Sequence, residues 1–297
     1  MAAKTVADAF NQFAATITPT ETQQATTRGR RDKAQEVLKD AFAGSNMPLL
    51  KTKLIGSAGR NTIIRPIDDV DVFAVFDDSV VWNEYQYDAK KLLYRVRDAL
   101  NAKYGVKVGS RGQAVRLFFT DSPNVEIVPA FAVETGGYVI ASGNPAPSWL
   151  FGNTWQMTDP YVHESFLSQR NTELGSNLKR LTRFLKRWNA VHSRRFSSFH
   201  LELLVQASFG SLSANSRENC HRFFEWAPQY LAVQDPAGYS GSMMANVDYA
   251  RRSAMTTALR TGYEQSGRAL DAENAGDPAE AIRLWRIIFG DEFPVYG

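Results

Sequence analysis

The chain has 297 residues, 44% of them hydrophobic and 22% charged, with a net charge of +3. That length can bury a full core as one large domain or two lobes, and that charge balance excludes a surface that attracts nucleic acid everywhere. The single cysteine, Cys220, excludes an internal disulfide framework, and the four histidines (His163, His192, His200, His221) make no paired metal-ligand spacing, which argues against a structural zinc. No apolar run approaches the roughly 20 residues that span a bilayer. The opening MAAKTVADAFNQF alternates polar and apolar residues and lacks a secretory apolar stretch. A cytoplasmic protein without a membrane partner is expected.

In chain order, Thr18-Pro19-Thr20-Glu21 reads as a helix start and Gly44-Ser45 as a stop, so residues 21–42 are expected to form one long helix. Residues 49–55 read as a short strand ending in the turn Gly56-Ser57-Ala58-Gly59, and residues 70–76 as a buried strand. Residues 88–104 carry Leu92, Leu93, Val96 and Leu100 at helical spacing, with Gly105 as a stop. Two strand-like runs follow, 114–120 and 125–131, joined by the turn Asp121-Ser122-Pro123-Asn124. Gly136-Gly137 then turns the chain into a strand at 138–140. Residues 142–147 have linker composition, and everything after about residue 158 reads as helix. The class is α+β, with a core over residues 1–155 and a helical lobe over 156–297.

Asp69 and Asp71 stand two apart in a strand, so both carboxylates leave one face while Val70 and Val72 point into the core. Two acids aimed at one spot repel unless a cation sits between them. Glu126 has the same setting, with Val125, Ile127 and Val128 around it on a strand expected to be a neighbour. Three carboxylates on adjacent strands can hold two metal ions, Mg²⁺ or Mn²⁺, about 4 Å apart. Asp68, Asp77 and Asp78 read as solvated or turn residues. The Gly56-Ser57 turn offers backbone N–H groups and a hydroxyl to phosphate oxygens. With eleven intervening residues before a D-x-D pair, it becomes a composite signal.

Leu54-Ile55-Gly56-Ser57-Ala58-Gly59-Arg60-Asn61-Thr62, followed by Ile67-Asp68-Asp69-Val70-Asp71-Val72, resembles the signature of polymerase-β-like nucleotidyltransferases. Within them it is most similar to the cGAS/DncV-like nucleotidyltransferases (CD-NTases) of bacterial anti-phage signalling. Val125-Glu126-Ile127-Val128-Pro129-Ala130-Phe131 resembles the strand that carries the third acid, with Glu where Asp is frequent.

Residues 168–195 hold eight basic residues against the single acid Glu173. Lys179, Arg183 and Lys186 fall on one helical stripe, and Leu178, Leu181, Leu185 and Trp188 on the other. A positive stripe repels itself unless an anion docks, and a triphosphate or single-stranded nucleic acid would serve. Asn177-Leu178-Lys179-Arg180-Leu181, Phe184-Leu185-Lys186-Arg187-Trp188-Asn189 and Ser197-Ser198-Phe199-His200-Leu201-Glu202 resemble the CD-NTase helical lobe. The resemblance implies that Lys186 and Ser198, with Lys179 as a lesser candidate, contact the donor triphosphate, and that His200 and Glu202 pack or link the lobes. A hydrolase triad of Ser198, His200 and Glu202 is rejected, since close positions on one helix cannot orient a base. Residues 279–293 are expected to form an amphipathic closing helix.

The resemblance implies an enzyme that joins NTPs, ATP among them, in the cleft between lobes, releasing pyrophosphate. Its product would be a cyclic or short linear oligonucleotide messenger, di- or trinucleotide, read by a separate effector. The 56–71 wording is closest to branches that make cyclic trinucleotides and act with HORMA-type partners. Lack of a Cys/His zinc insertion argues against activation by double-stranded DNA. Two rivals stand beside this reading: a template-independent RNA-tailing enzyme, and a non-catalytic nucleotide or RNA sensor.

Overall fold

The structure, a computed structural model, describes residues 2–104, 108–142 and 154–297. Gly105 and most of the expected linker lie outside the described residues. The chain divides into two compact units, one of Thr20–Arg60 and Ile67–His163, the other of Met1–Pro19, Asn61–Pro66 and Glu164–Gly297.

The first unit is a seven-stranded sheet with helices. Its strands are β1 (Leu49–Leu54), β2 (Asp69–Phe76), β3 (Val108–Arg111), β4 (Ala114–Leu117), β5 (Asn124–Ala132), β6 (Tyr138–Ala141) and β7 (Trp155–Thr158). They lie in the order β1-β2-β5-β4-β3, with β6 paired to the far half of β5 and β7 to β6. Every pair is antiparallel except β2 and β5, which run parallel with Asp71 opposite Glu126. Val70, Val72, Ala74 and Phe76 alternate with the acids and are buried. Helix α2 (Glu21–Ala41) packs on the sheet with Ala34, Val37 and Leu38 inward, and starts in a capping box between Thr20 and Gln23. Helix α3 (Ala89–Tyr104) contributes buried Leu92, Leu93, Val96 and Leu100. On the acids' face, Phe73, Val75, Val128, Ala130 and Ile140 form a small apolar cluster against Ile55 and Tyr138.

The second unit is helical: α1 (Val6–Ile17), the later part of α4 (Pro160–Glu173), α5 (Leu178–Val191), α6 (Ser198–Ala207), α7 (Ser216–Trp226), α8 (Tyr249–Asn274) and α9 (Pro278–Phe289). Helix α1 corrects the sequence reading, which saw no helix there: Val6, Ala9, Phe10, Phe13 and Ile17 form one buried stripe. Phe10 packs edge-on against Phe184, Trp285, Phe289 and Phe293 at 5.0–5.8 Å. Residues 1–19 therefore belong with the helices, not with the sheet where the expected boundary at 155/156 put them. Strand β7 pairs with β6, which carries the sheet unit on to His163. Residues 61–66 also join the helical unit, where Ile64 packs on its core and Arg65 N–H donates to Ile17 O at 2.9 Å. Among the described residues no helix is long and apolar enough to cross a membrane.

Candidate active site

Strand β2 delivers Asp69 and Asp71 half-buried at its start, because the buried alternate positions fix which face they take. Parallel pairing to β5 sets Glu126 beside Asp71 and Asn124 beside Asp69. The Gly56–Gly59 turn, a single helical turn, leads away from β1, and Ile55 N–H donates to Asp71 O at 3.0 Å. Gly56 has φ +60, and a Cβ there would lie 2.0 Å from Asp71 Oδ2; a Cβ at Gly59 would lie 2.4 Å from Leu54 O. Both glycines are thus required by close approach, and Gly56 by its left-handed backbone as well. Asp69, Asp71, Glu126, Gly56 and Ser57 meet at one end of the sheet unit.

A residue absent from the sequence reading completes the cluster. Arg116, on β4, is the register partner of Glu126. Its Nη2 donates to Asp69 Oδ1 at 2.6 Å and its Nε lies 3.0 Å from Glu126 Oε1. The second contact is an ion pair without hydrogen-bond alignment, since Nε has no hydrogen-bond partner. Among the described residues, no three His, Cys, Asp or Glu side chains are grouped to share one ion. Asp69 and Glu126 are turned onto the guanidinium instead. The donor set itself, three carboxylates on paired strands beside a glycine cradle, suits a hard divalent cation.

The residues expected to face a triphosphate from the helical lobe lie in the other unit. Lys186 is buried at 7% exposure, and its Nζ donates to Glu202 Oε1 at 3.0 Å. The same oxygen accepts from Thr62 Oγ1 at 2.7 Å. Arg183 donates to Asn61 O and Oδ1 at 2.7 and 3.0 Å, and burial lowers its pKa. The open basic stripe expected on α5 is therefore corrected: two of its three members are committed to partners within their own unit. Lys179 is half-buried, and Ser198 is exposed at the start of α6, next to the N-cap Ser197. His200 is buried with Nε2 2.8 Å from Leu231 O, and Glu202 is held by Lys186 and Thr62, so both pack as expected and no triad forms.

An acid pair on one strand, a third acid on its parallel neighbour and a glycine-serine turn against them define a polymerase-β-like nucleotidyltransferase. Residues 4–171 match the Second Messenger Oligonucleotide or Dinucleotide Synthetase domain. The "Probable cyclic nucleotide synthase IK1_05630" of Bacillus cereus is 28% identical over 80% of this chain and 81% of its own length. A cyclic AMP-AMP-AMP synthase from an Acinetobacter strain is 25% identical over 88% of this chain and 78% of its own. In fold, the chain is similar to CdnC of E. coli MS115-1, solved in complex with HORMA-deltaN, with a TM-score of 0.79 at 18% identity over 96% of this chain and 97% of that one. The chain belongs to the Second Messenger Oligonucleotide or Dinucleotide Synthetase family, within the CD-NTases. It is a nucleotidyltransferase of the cyclic-oligonucleotide-synthesising kind found in anti-phage signalling, a family that depends on divalent metal.

Proposed function

We propose that this enzyme joins NTPs, ATP among them, into a cyclic trinucleotide in the cytoplasm. The observation that carries the catalytic reading is the in-register pairing of Asp71 with Glu126, with Gly56 packed on Asp71. Asp69 and Asp71 would hold two divalent ions, Mg²⁺ or Mn²⁺, and Glu126 the one beside the attacking hydroxyl. When bound, such ions neutralise charge on the attacking, leaving and non-bridging oxygens. The Gly56-Ser57 amides and hydroxyl bind and orient the triphosphate for in-line attack of a sugar hydroxyl on the α-phosphorus, with pyrophosphate leaving. Ser198, exposed, and Lys179, half-buried, are the helical unit's own candidates for binding phosphate. Lys186 is assigned the positioning of Thr62 through Glu202, since its ammonium already has a carboxylate. The likeness in fold to CdnC supports a HORMA-type regulator as partner, and the trinucleotide rests on the cyclic AMP-AMP-AMP relative.

The test is incubation of the protein with four labelled NTPs and Mg²⁺ or Mn²⁺, with and without a HORMA protein, beside an Asp69→Ala, Asp71→Ala variant. Phosphatase-resistant trinucleotides from wild type alone are expected. Long products that need an RNA primer would make it a tailing enzyme. Biological protection that survives loss of both acids would make it a sensor.

A further inference from the structure

Arg116 is the one base on an otherwise apolar strand: its neighbours Val115 and Leu117 are 0% and 5% exposed. Its side chain keeps only 21% exposure, so it is not there as a solvated surface charge. It reaches two acids on two different strands at once, Asp69 at 2.6 Å and Glu126 at 3.0 Å. Among the described residues it is the only cation paired with either. A guanidinium fork suits such a span. One positive charge against the two carboxylates of Asp69 and Glu126 leaves that pair net negative and still attractive to a divalent ion. The ring of Phe118, two residues along the same strand direction, lies 5.3 Å from Arg116 Cζ and offers a face on which the guanidinium can remain once the acids turn away.

We infer that Arg116 is the resident counterion of Asp69 and Glu126: it holds both acids while metal is absent and exchanges with divalent metal when the site loads. The inference rests on Asp69, Asp71 and Glu126 being the metal-holding acids. Arg116 is a positioning residue, acting through the acids. It keeps the two carboxylates of Asp69 and Glu126 ordered in the free enzyme, and it competes with the ion for them. Its removal therefore has two opposite effects, a less stable metal-free protein and a tighter metal site.

The experiment is Mn²⁺ binding followed by electron paramagnetic resonance, together with thermal melts in chelator and in Mn²⁺, all without NTP. Wild type is compared with Arg116→Gln, Arg116→Lys and the Asp69→Ala, Asp71→Ala variant. Arg116→Gln is expected to melt below wild type in chelator, to bind Mn²⁺ on the order of ten-fold tighter, and to gain more in Tm from the ion. Arg116→Lys, which keeps the charge but not the fork, falls between them and reports even where the Gln variant folds poorly. Mn²⁺ binding unchanged or weaker in both Arg116 variants, with wild type still binding and the Asp double variant not, overturns the inference alone. Equal binding by wild type and the Asp double variant overturns the metal reading and the inference with it.

Discussion

Asp69 and Glu126 keep 33% and 24% side-chain exposure and share one arginine, whereas Lys186 and Glu202 keep 6% and 1% and pair with each other. The first cluster, in the sheet unit, carries a charge excess within reach of solvent. The second, in the helical unit, is buried and closed, with Thr62 donating to the same oxygen of Glu202. Burying a charge is costly unless it is paired and hydrogen-bonded, so the closed cluster suits architecture. An unbalanced, accessible cluster is retained against its own repulsion, which suits a site that binds something positive. Lys186 shows why charge on a helix surface cannot be assigned to ligand binding from spacing alone.

The sharpest way to break this contrast is Gly56→Ala. A methyl group 2.0 Å from Asp71 Oδ2 has to push that carboxylate away, while the strained backbone costs on the order of 1–3 kcal/mol. Synthesis should fall about 100-fold or more, since a displacement near 1 Å has that effect, with the protein still folded by circular dichroism. Retained turnover would remove Asp71 from the chemistry. Next comes Glu202→Ala, which takes the paired carboxylate from the buried Lys186 ammonium and should cost about 3–5 kcal/mol in urea unfolding. The double change Lys186→Met, Glu202→Leu should recover most of it, and a cost below about 1 kcal/mol for the single variant would show that the pair is not closed.

The smallest effect concerns pH. Burial lowers the pKa of His200, and likewise of His221, below the ordinary histidine value, so folding favours the neutral form of both. Unfolded chain then binds more protons between that lowered pKa and about 6.5, and stability declines as pH falls through this window while staying level above it. Urea midpoints at pH 7.5 and 5.5 should show the decline, and His200→Gln should reduce it. A midpoint independent of pH would mean that these imidazoles take up protons alike in the folded and the unfolded chain.

Much of the sheet unit was legible because its alternation is strict. Val70 and Val72 around Asp71, and Val125 and Ile127 around Glu126, fix strand and face together. Helix α2 announces itself through Thr18-Pro19-Thr20-Glu21. Pairing register is a tertiary property, and so Arg116 escaped notice: nothing in Ala114–Leu117 says which residue it will sit beside. Helix α1 was hidden by its own mixture of polar and apolar residues, whose order is set by the aromatic core that Phe10 and Phe13 enter. The short run Asn61–Pro66 gave no hint of leaving the sheet unit, because its anchors, Glu202, Arg183 and Ile17, are distant in sequence.

The parallel pairing of β2 with β5 also bears on how this chain can evolve. Side chains along a strand change face at every step, so one residue gained or lost between Asn124 and Glu126 would send the third acid into the packed side of the sheet. The turn just ahead, with Asp121 and Ser122 exposed, is free of that parity. Length variation among descendants should accumulate in the turn and be absent from the strand. Deep sequencing of single-codon insertions across residues 118–132 would then show tolerance and lethality meeting at a boundary one residue wide.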